Sequence, residues 1–128
     1  MDRKAKGQLG EDAAAAELMR RGHRIIGRNY RQPCGEIDII SEIGGFIVFT
    51  EVKTRGLNSM VSGVEAVDPR KRSRIVRTAD LYLSEHETGL QPRYDIAEVT
   101  ISRGSAPRIL RIDIYEDAFD TEGIYTVN

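Results

Sequence analysis

Two strand-like runs, residues 36–43 and 46–54, are separated only by Gly44-Gly45. A two-glycine connection predicts a tight antiparallel hairpin. The hairpin also fixes the pairing of its arms. Ile43 faces Phe46, and every opposed pair of positions then sums to 89. Side chains alternate between the faces of a strand. Glu36, Asp38 and Ile40 therefore share a face with Phe49, Glu51 and Lys53, with Asp38 across from Glu51 and Glu36 across from Lys53. A symmetric four-residue loop preserves this pairing. A three-residue loop slips it by one and puts Asp38 and Glu51 on opposite faces.

Opposed like charges are unfavourable in a sheet. At about 5 Å and an effective dielectric near 20, the repulsion is roughly 3 kcal/mol, large beside ordinary domain stability. Three arrangements offset it. One carboxyl stays protonated. Lys53 or an arginine neutralises the pair. A hard divalent cation such as Mg²⁺ or Mn²⁺ bridges the oxygens. A lysine two residues after Glu51, on the same face, suits metal-assisted phosphoryl chemistry.

The rest of the chain supplies a frame for this hairpin. Residues 5–21 read as a helix through the Ala13 to Ala16 run, with Gly22 as its stop. Leu9, Ala13 and Ala16 form one apolar stripe, and Ala14 or Ala15 with Leu18 a neighbouring one. Residues 23–30 predict a strand, and Arg31 to Gly35 a turn around Pro33. Residues 55–67 lack periodicity and read as a mobile loop, able to close over a bound strand. Asp68-Pro69 starts a second helix running to about Glu85, with Ile75, Ala79 and Tyr82 or Leu83 inward. Residues 93–102 and 108–115 are two more strands. The order αβββαβ plus a further strand predicts an α/β fold, a mixed sheet flanked by helices. At 128 residues, one domain spanning 1–128 is expected.

The formal charge of −1 conceals an uneven distribution. Residues 1–77 carry 15 Lys and Arg against 10 Asp and Glu, whereas residues 78–128 carry 4 against 10. Lys53, Arg55, Arg70, Lys71, Arg72, Arg74 and Arg77 place seven cations within 25 residues. Such a cluster suits salt-dependent, largely sequence-independent contact with nucleic-acid phosphates. Cys34 is the only cysteine, so no internal disulfide forms and a reducing, cytoplasmic setting is expected. Neither a transmembrane span nor a signal peptide is expected. His23 and His86 have no zinc or triad spacing.

With these residues in place, the chain resembles a known group. Asp38, followed on the next strand by Glu51-Val52-Lys53, is similar to the Asp…Glu-x-Lys core of restriction-endonuclease-like nucleases. The wider pattern resembles the YraN-like endonuclease-related bacterial proteins. It is carried by Gly10-Glu11, Asn29-Tyr30-Arg31, Gly35 to Ile40, Phe49 to Arg55, Glu65-Ala66-Val67 with Lys71, Tyr82-Leu83, and Arg93-Tyr94-Asp95, over about residues 7–100. Archaeal Holliday junction resolvases show a similar layout, with a first-helix glutamate matching Glu11. The resemblance implies a restriction-endonuclease-like core and Mg²⁺- or Mn²⁺-dependent phosphodiester hydrolysis. The implied substrate is DNA rather than RNA, with branched and single-stranded forms included. It implies Asp38, Glu51 and the Val52 carbonyl as metal ligands, Glu11 as an outer or second-metal ligand, and Lys53 beside the attacking water. Because related resolvases act as dimers, it also implies a homodimer.

Plainer readings stand beside these. Asp38, Glu51 and Lys53 could form a solvated face with an ordinary ion pair. Glu11 could serve the helix dipole. Glu36 could lie behind the ligands or pair with Lys53. Tyr30, Tyr82 and Tyr94 read as core-edge packing, and Asp95 as a structural acid. The functional alternatives to a nuclease are a non-catalytic nucleic-acid-binding module of the same fold, and an interaction domain using the acidic segment 113–122.

Overall fold

The computed structural model describes residues 1–57 and 67–121. The elements are α1 (Arg3–Arg20), β1 (Arg24–Gln32), β2 (Gly35–Ile43), β3 (Phe46–Gly56), α2 (Pro69–Glu85), β4 (Gln91–Ile101) and β5 (Ile109–Phe119). The strands form one mixed sheet in the order β1-β2-β3-β4-β5. Only β3 and β4 are parallel. A parallel pair needs a long crossover, and the segment between them carries α2. The expected α/β architecture is therefore present.

Each helix closes one face of the sheet. Ala14, Ala15 and Leu18 of α1 pack with Ile39, Ala97, Val99 and Ile101. Ile75, Val76 and Ala79 of α2 pack with Ile37, Ile40, Ile47, Phe49 and Ile96 on the other face. Tyr30, Phe49, Tyr82 and Tyr94 make edge and stacked ring contacts there, so the tyrosines serve the core. Of the two stripes read on α1, the one through Leu18 is buried. Leu9 and Ala13 of the other stripe are half-buried at its edge, and Ala16 is exposed, because Gly10 lies directly against Thr54 of the sheet.

The hairpin register is as the glycines dictate. Ile43 faces Phe46 and the pairs continue to Ile39–Thr50. Gly44 takes φ +57°, a conformation that glycine adopts without strain. Other boundaries move. The β1–β2 turn contracts from the expected 31–35 to Pro33-Cys34, because pairing continues through Gln32–Gly35. At Gly35 a Cβ would lie 2.9 Å from Thr78 Oγ1, so β2 starts hard against α2. Strand β3 extends to Gly56, since its parallel partner β4 holds it along its whole length. Most of the expected 55–67 loop lies outside the described residues, and Val67 is buried. No helix among the described residues is long and apolar enough to cross a membrane.

A candidate acidic centre at a break in the sheet

Asp38 sits where two ladders fail together. In the β1–β2 ladder, Arg28–Ile39 and Tyr30–Ile37 pair on either side of it, but Asp38 does not. Asn29, the residue that would oppose it, has φ +54°. On the other side the β2–β3 ladder closes at Ile39–Thr50, one pair short of Asp38 and Glu51. The carboxylate replaces the missing ladder bond, since Val52 N–H donates to Asp38 Oδ2 at 2.7 Å. The break also resets the alternation of β2. Ile37 joins Ile40 on the α2 side, while Ile39 faces α1. Strict alternation across 36–40, as read from the hairpin alone, therefore does not hold.

Asp38 and Glu51 nevertheless come together, sharing a cavity of about 260 Å³ with Lys71 and Arg74. Burial pushes the Asp38 carboxyl up to about 8, with the Glu51 charge and more weakly that of Glu11 adding to it. Metal-free, one proton is thus retained near this pair at neutral pH. Glu51 is 7% exposed, and one of its oxygens receives both Lys53 Nζ at 3.4 Å and Lys71 Nζ at 3.3 Å. Burial, then the adjoining Lys71, holds Lys53 below the usual lysine range. Lys71 was grouped by sequence with the basic run of the second helix. The fold instead brings it onto Glu51, because Pro69 and the Asp68 cap start α2 beside the β3 end.

Glu11 reaches the same region from α1. A Cβ on Gly10 would fall 1.8 Å from Thr54 Oγ1, so only glycine lets α1 lie this close to β3 beside Lys53. Glu11, 8% exposed, is held by Arg28 Nη2 at 3.1 Å, and the same guanidinium reaches Asp12 at 2.7 Å. No spacing rule points to Arg28, and its one signal is its place beside Ile39 on the sheet face that α1 covers. Glu36 pairs with Arg31 at 3.4 Å rather than with Lys53, because the β1–β2 register sets the two opposite each other.

The expected nucleic-acid cations divide into two kinds. Arg70 and Arg74 make no side-chain ion pair with a described residue. Arg55 is committed to buried Glu98 at 3.3 Å. Arg72 donates to the Val67 carbonyl at 2.8 Å and lies 5.6 Å over the Phe119 ring. The acidic segment occupies edge strand β5 and the residues after it, and its last residue lies outside the described residues.

Asp38 and Glu51 fit a hard divalent cation. They are oxygen donors side by side in one small cavity, and a cation would take the place of the proton held there. Among the described residues no three His, Cys, Asp or Glu side chains are grouped to hold a metal by themselves. Mg²⁺ is commonly held by one or two carboxylates and keeps several waters.

These features define an α/β protein with an acidic centre where β2 parts from β3, ringed by lysines and arginines. Residues 10–99 match the family model described as "Uncharacterised protein family UPF0102", and the chain belongs to that family. It is 43% identical over 120 residues to a UPF0102 protein of Moorella thermoacetica, covering 93% of this chain and 98% of that protein. It is 44% identical over 119 residues to one from Nitratidesulfovibrio vulgaris, covering 92% and 86% respectively. A Dictyoglomus thermophilum member is 40% identical over 104 residues, covering 80% of this chain and 88% of that protein.

Proposed function

We propose that this protein is a metal-dependent nuclease that hydrolyses phosphodiester bonds in DNA, with branched and single-stranded DNA among its substrates. The observation that carries the reading is the Asp38–Glu51 pair, with Lys53 Nζ 3.4 Å from Glu51, at a break in the sheet. Asp38 and Glu51, with the Val52 carbonyl, are the residues that would hold Mg²⁺ or Mn²⁺. The bound cation would supply an activated water and stabilise charge on the phosphoryl oxygens. Glu11 adds negative charge from the α1 side. Lys53 orients the water and steadies the anionic phosphate, while Lys71 balances Glu51. Glu36, tied to Arg31, lies behind the pair. Arg70 and Arg74 supply phosphate contacts, and Arg55 and Arg72 shape the surface around them. DNA is favoured over RNA, and a homodimer expected, through the likeness to resolvases.

The two lysines on Glu51 and the arginine on Glu11 favour one second reading, a binding module whose acids are already neutralised. A cleavage assay with Mg²⁺ or Mn²⁺ on duplex, branched and single-stranded DNA and on RNA separates the two. The nuclease reading expects cleavage by the wild type. Asp38→Ala and Lys53→Ala should lose it while still binding. Cleavage indifferent to both changes rejects the site, and binding without cleavage of any substrate supports the module.

A further inference from the structure

A second cleft, of about 730 Å³, opens on the α1 side of Asp38. Asp38 and Glu36 line both this cleft and the smaller α2-side cavity, so the acidic centre lies between them. Its rim joins two distant parts of the chain. Arg3, Lys4 and Lys6 come from the first turns of α1, and Arg103 from the turn between β4 and β5. None of these four forms an ion pair with a described residue.

Helix electrostatics makes the placement informative. The start of a helix favours acids and disfavours cations. Past the capping carboxylates of Asp2 and Asp68, neither α1 nor α2 has an acid in its first turn, and both begin with clustered Arg and Lys. These cations oppose the dipole of their own helix, so intrinsic helix stability does not account for them. Both helix starts instead face a cavity that reaches Asp38. Among the described residues the α1 cleft has no aromatic lining, so these offer phosphate contacts without platforms for base stacking.

We propose that the α1 cleft, rimmed by Arg3, Lys4, Lys6 and Arg103, is a second track for the sugar-phosphate backbone of the nucleic acid, independent of the α2 cations. This rests on the nucleic-acid reading above. The backbone passes from the α2 side, across the acidic centre, into the α1 cleft. Recognition along this track is by charge and is indifferent to sequence.

The test is the binding of a fluorescein-labelled forked DNA in EDTA, followed by anisotropy from about 50 to 200 mM salt, the range over which phosphate contacts dominate. Arg3→Ala/Lys4→Ala/Arg103→Ala changes three exposed cleft cations. Arg20→Ala/Arg21→Ala/Arg24→Ala removes three from the far end of α1 and the start of β1. Thermal unfolding confirms that both variants fold, and the cleft variant should match or exceed the wild type, since it loses two charges that oppose the α1 dipole. The expected result is at least a tenfold weaker affinity for the cleft variant and a log–log salt slope shallower by about 1 to 3. The far-end variant should bind like the wild type. Unchanged affinity and slope in the cleft variant overturn the proposal. An equal loss in the far-end variant also overturns it, since net charge alone would then be at work. A wild type that binds no forked DNA at low salt rejects the nucleic-acid reading itself, and the second track with it.

Discussion

Asp38 and Asp95 are two acids set at irregular points of one sheet, and their surroundings differ sharply. Asp95 lies at the shift in the β4–β5 register and is fully buried. Arg93 grips it through two bonds, of 3.0 and 2.8 Å, and Asp117 N–H adds a third at 2.9 Å. Its charge is matched and its oxygens are occupied. Asp38 receives one backbone bond, shares a side-chain hydrogen bond with Glu51 and meets the charges of Glu51 and Glu11, with Lys71 as its cationic neighbour. A structural acid in this fold is closed by a cation and backbone donors, whereas the acid at the proposed centre is set against other carboxyls and holds a proton instead.

Breaking the Asp95 arrangement should have the largest effect on stability. Arg93→Ala leaves a buried carboxylate without its cation, and loss of one partner of such a pair costs about 3–5 kcal/mol. Urea unfolding should show that loss. Gly10→Ala acts on the Asp38 side through packing. Its new methyl would meet Thr54, and overpacking of this kind costs about 1–3 kcal/mol. Adding Thr54→Ala should restore part of the loss, an interaction that a double-mutant cycle would measure.

Asp38→Asn should move stability in the opposite direction. Its amide oxygen can still accept the Val52 N–H. The folded carboxyl titrates near 8, far above its unfolded range, so the folded state holds the extra proton between about pH 4 and 8. Asp38 therefore contributes stability that is full below pH 4 and is lost as pH rises through 8. In EDTA the asparagine variant should exceed the wild type at pH 8, by a margin that narrows as pH falls and is gone at pH 4. Chemical denaturation at the two pH values checks this. A wild type more stable at pH 8 than its variant would remove the contrast with Asp95.

The parts of this picture visible in the sequence are those set by local geometry. Gly44-Gly45 determined the hairpin register, and Asp68-Pro69 the start of α2. Asp38 and Glu51 were legible as neighbours for the same reason. The break at Asp38 was not. A carboxylate that takes over a ladder bond depends on how β1, β2 and β3 splay together, and residue spacing carries no record of that. Gly10 stands out in the sequence only as part of the Gly10-Glu11 pattern, and its packing role shows only where α1 meets Thr54. The basic run at 70–74 was plain, but which of its members reach the site depends on how α2 is rotated. Lys71 reaches Glu51 and Arg72 turns to Phe119. The α1 cleft has Arg3 and Arg103 in one lining, residues a hundred positions apart in the chain.

The central question is whether the Asp38–Glu51 pair is a place for a divalent cation. Titrating the wild type and Asp38→Asn with Mn²⁺, while following the free-ion electron paramagnetic resonance signal, asks this directly. The account predicts a saturable site in the wild type that Asp38→Asn removes or greatly weakens. Equal Mn²⁺ binding by both proteins, or none by the wild type, would contradict it.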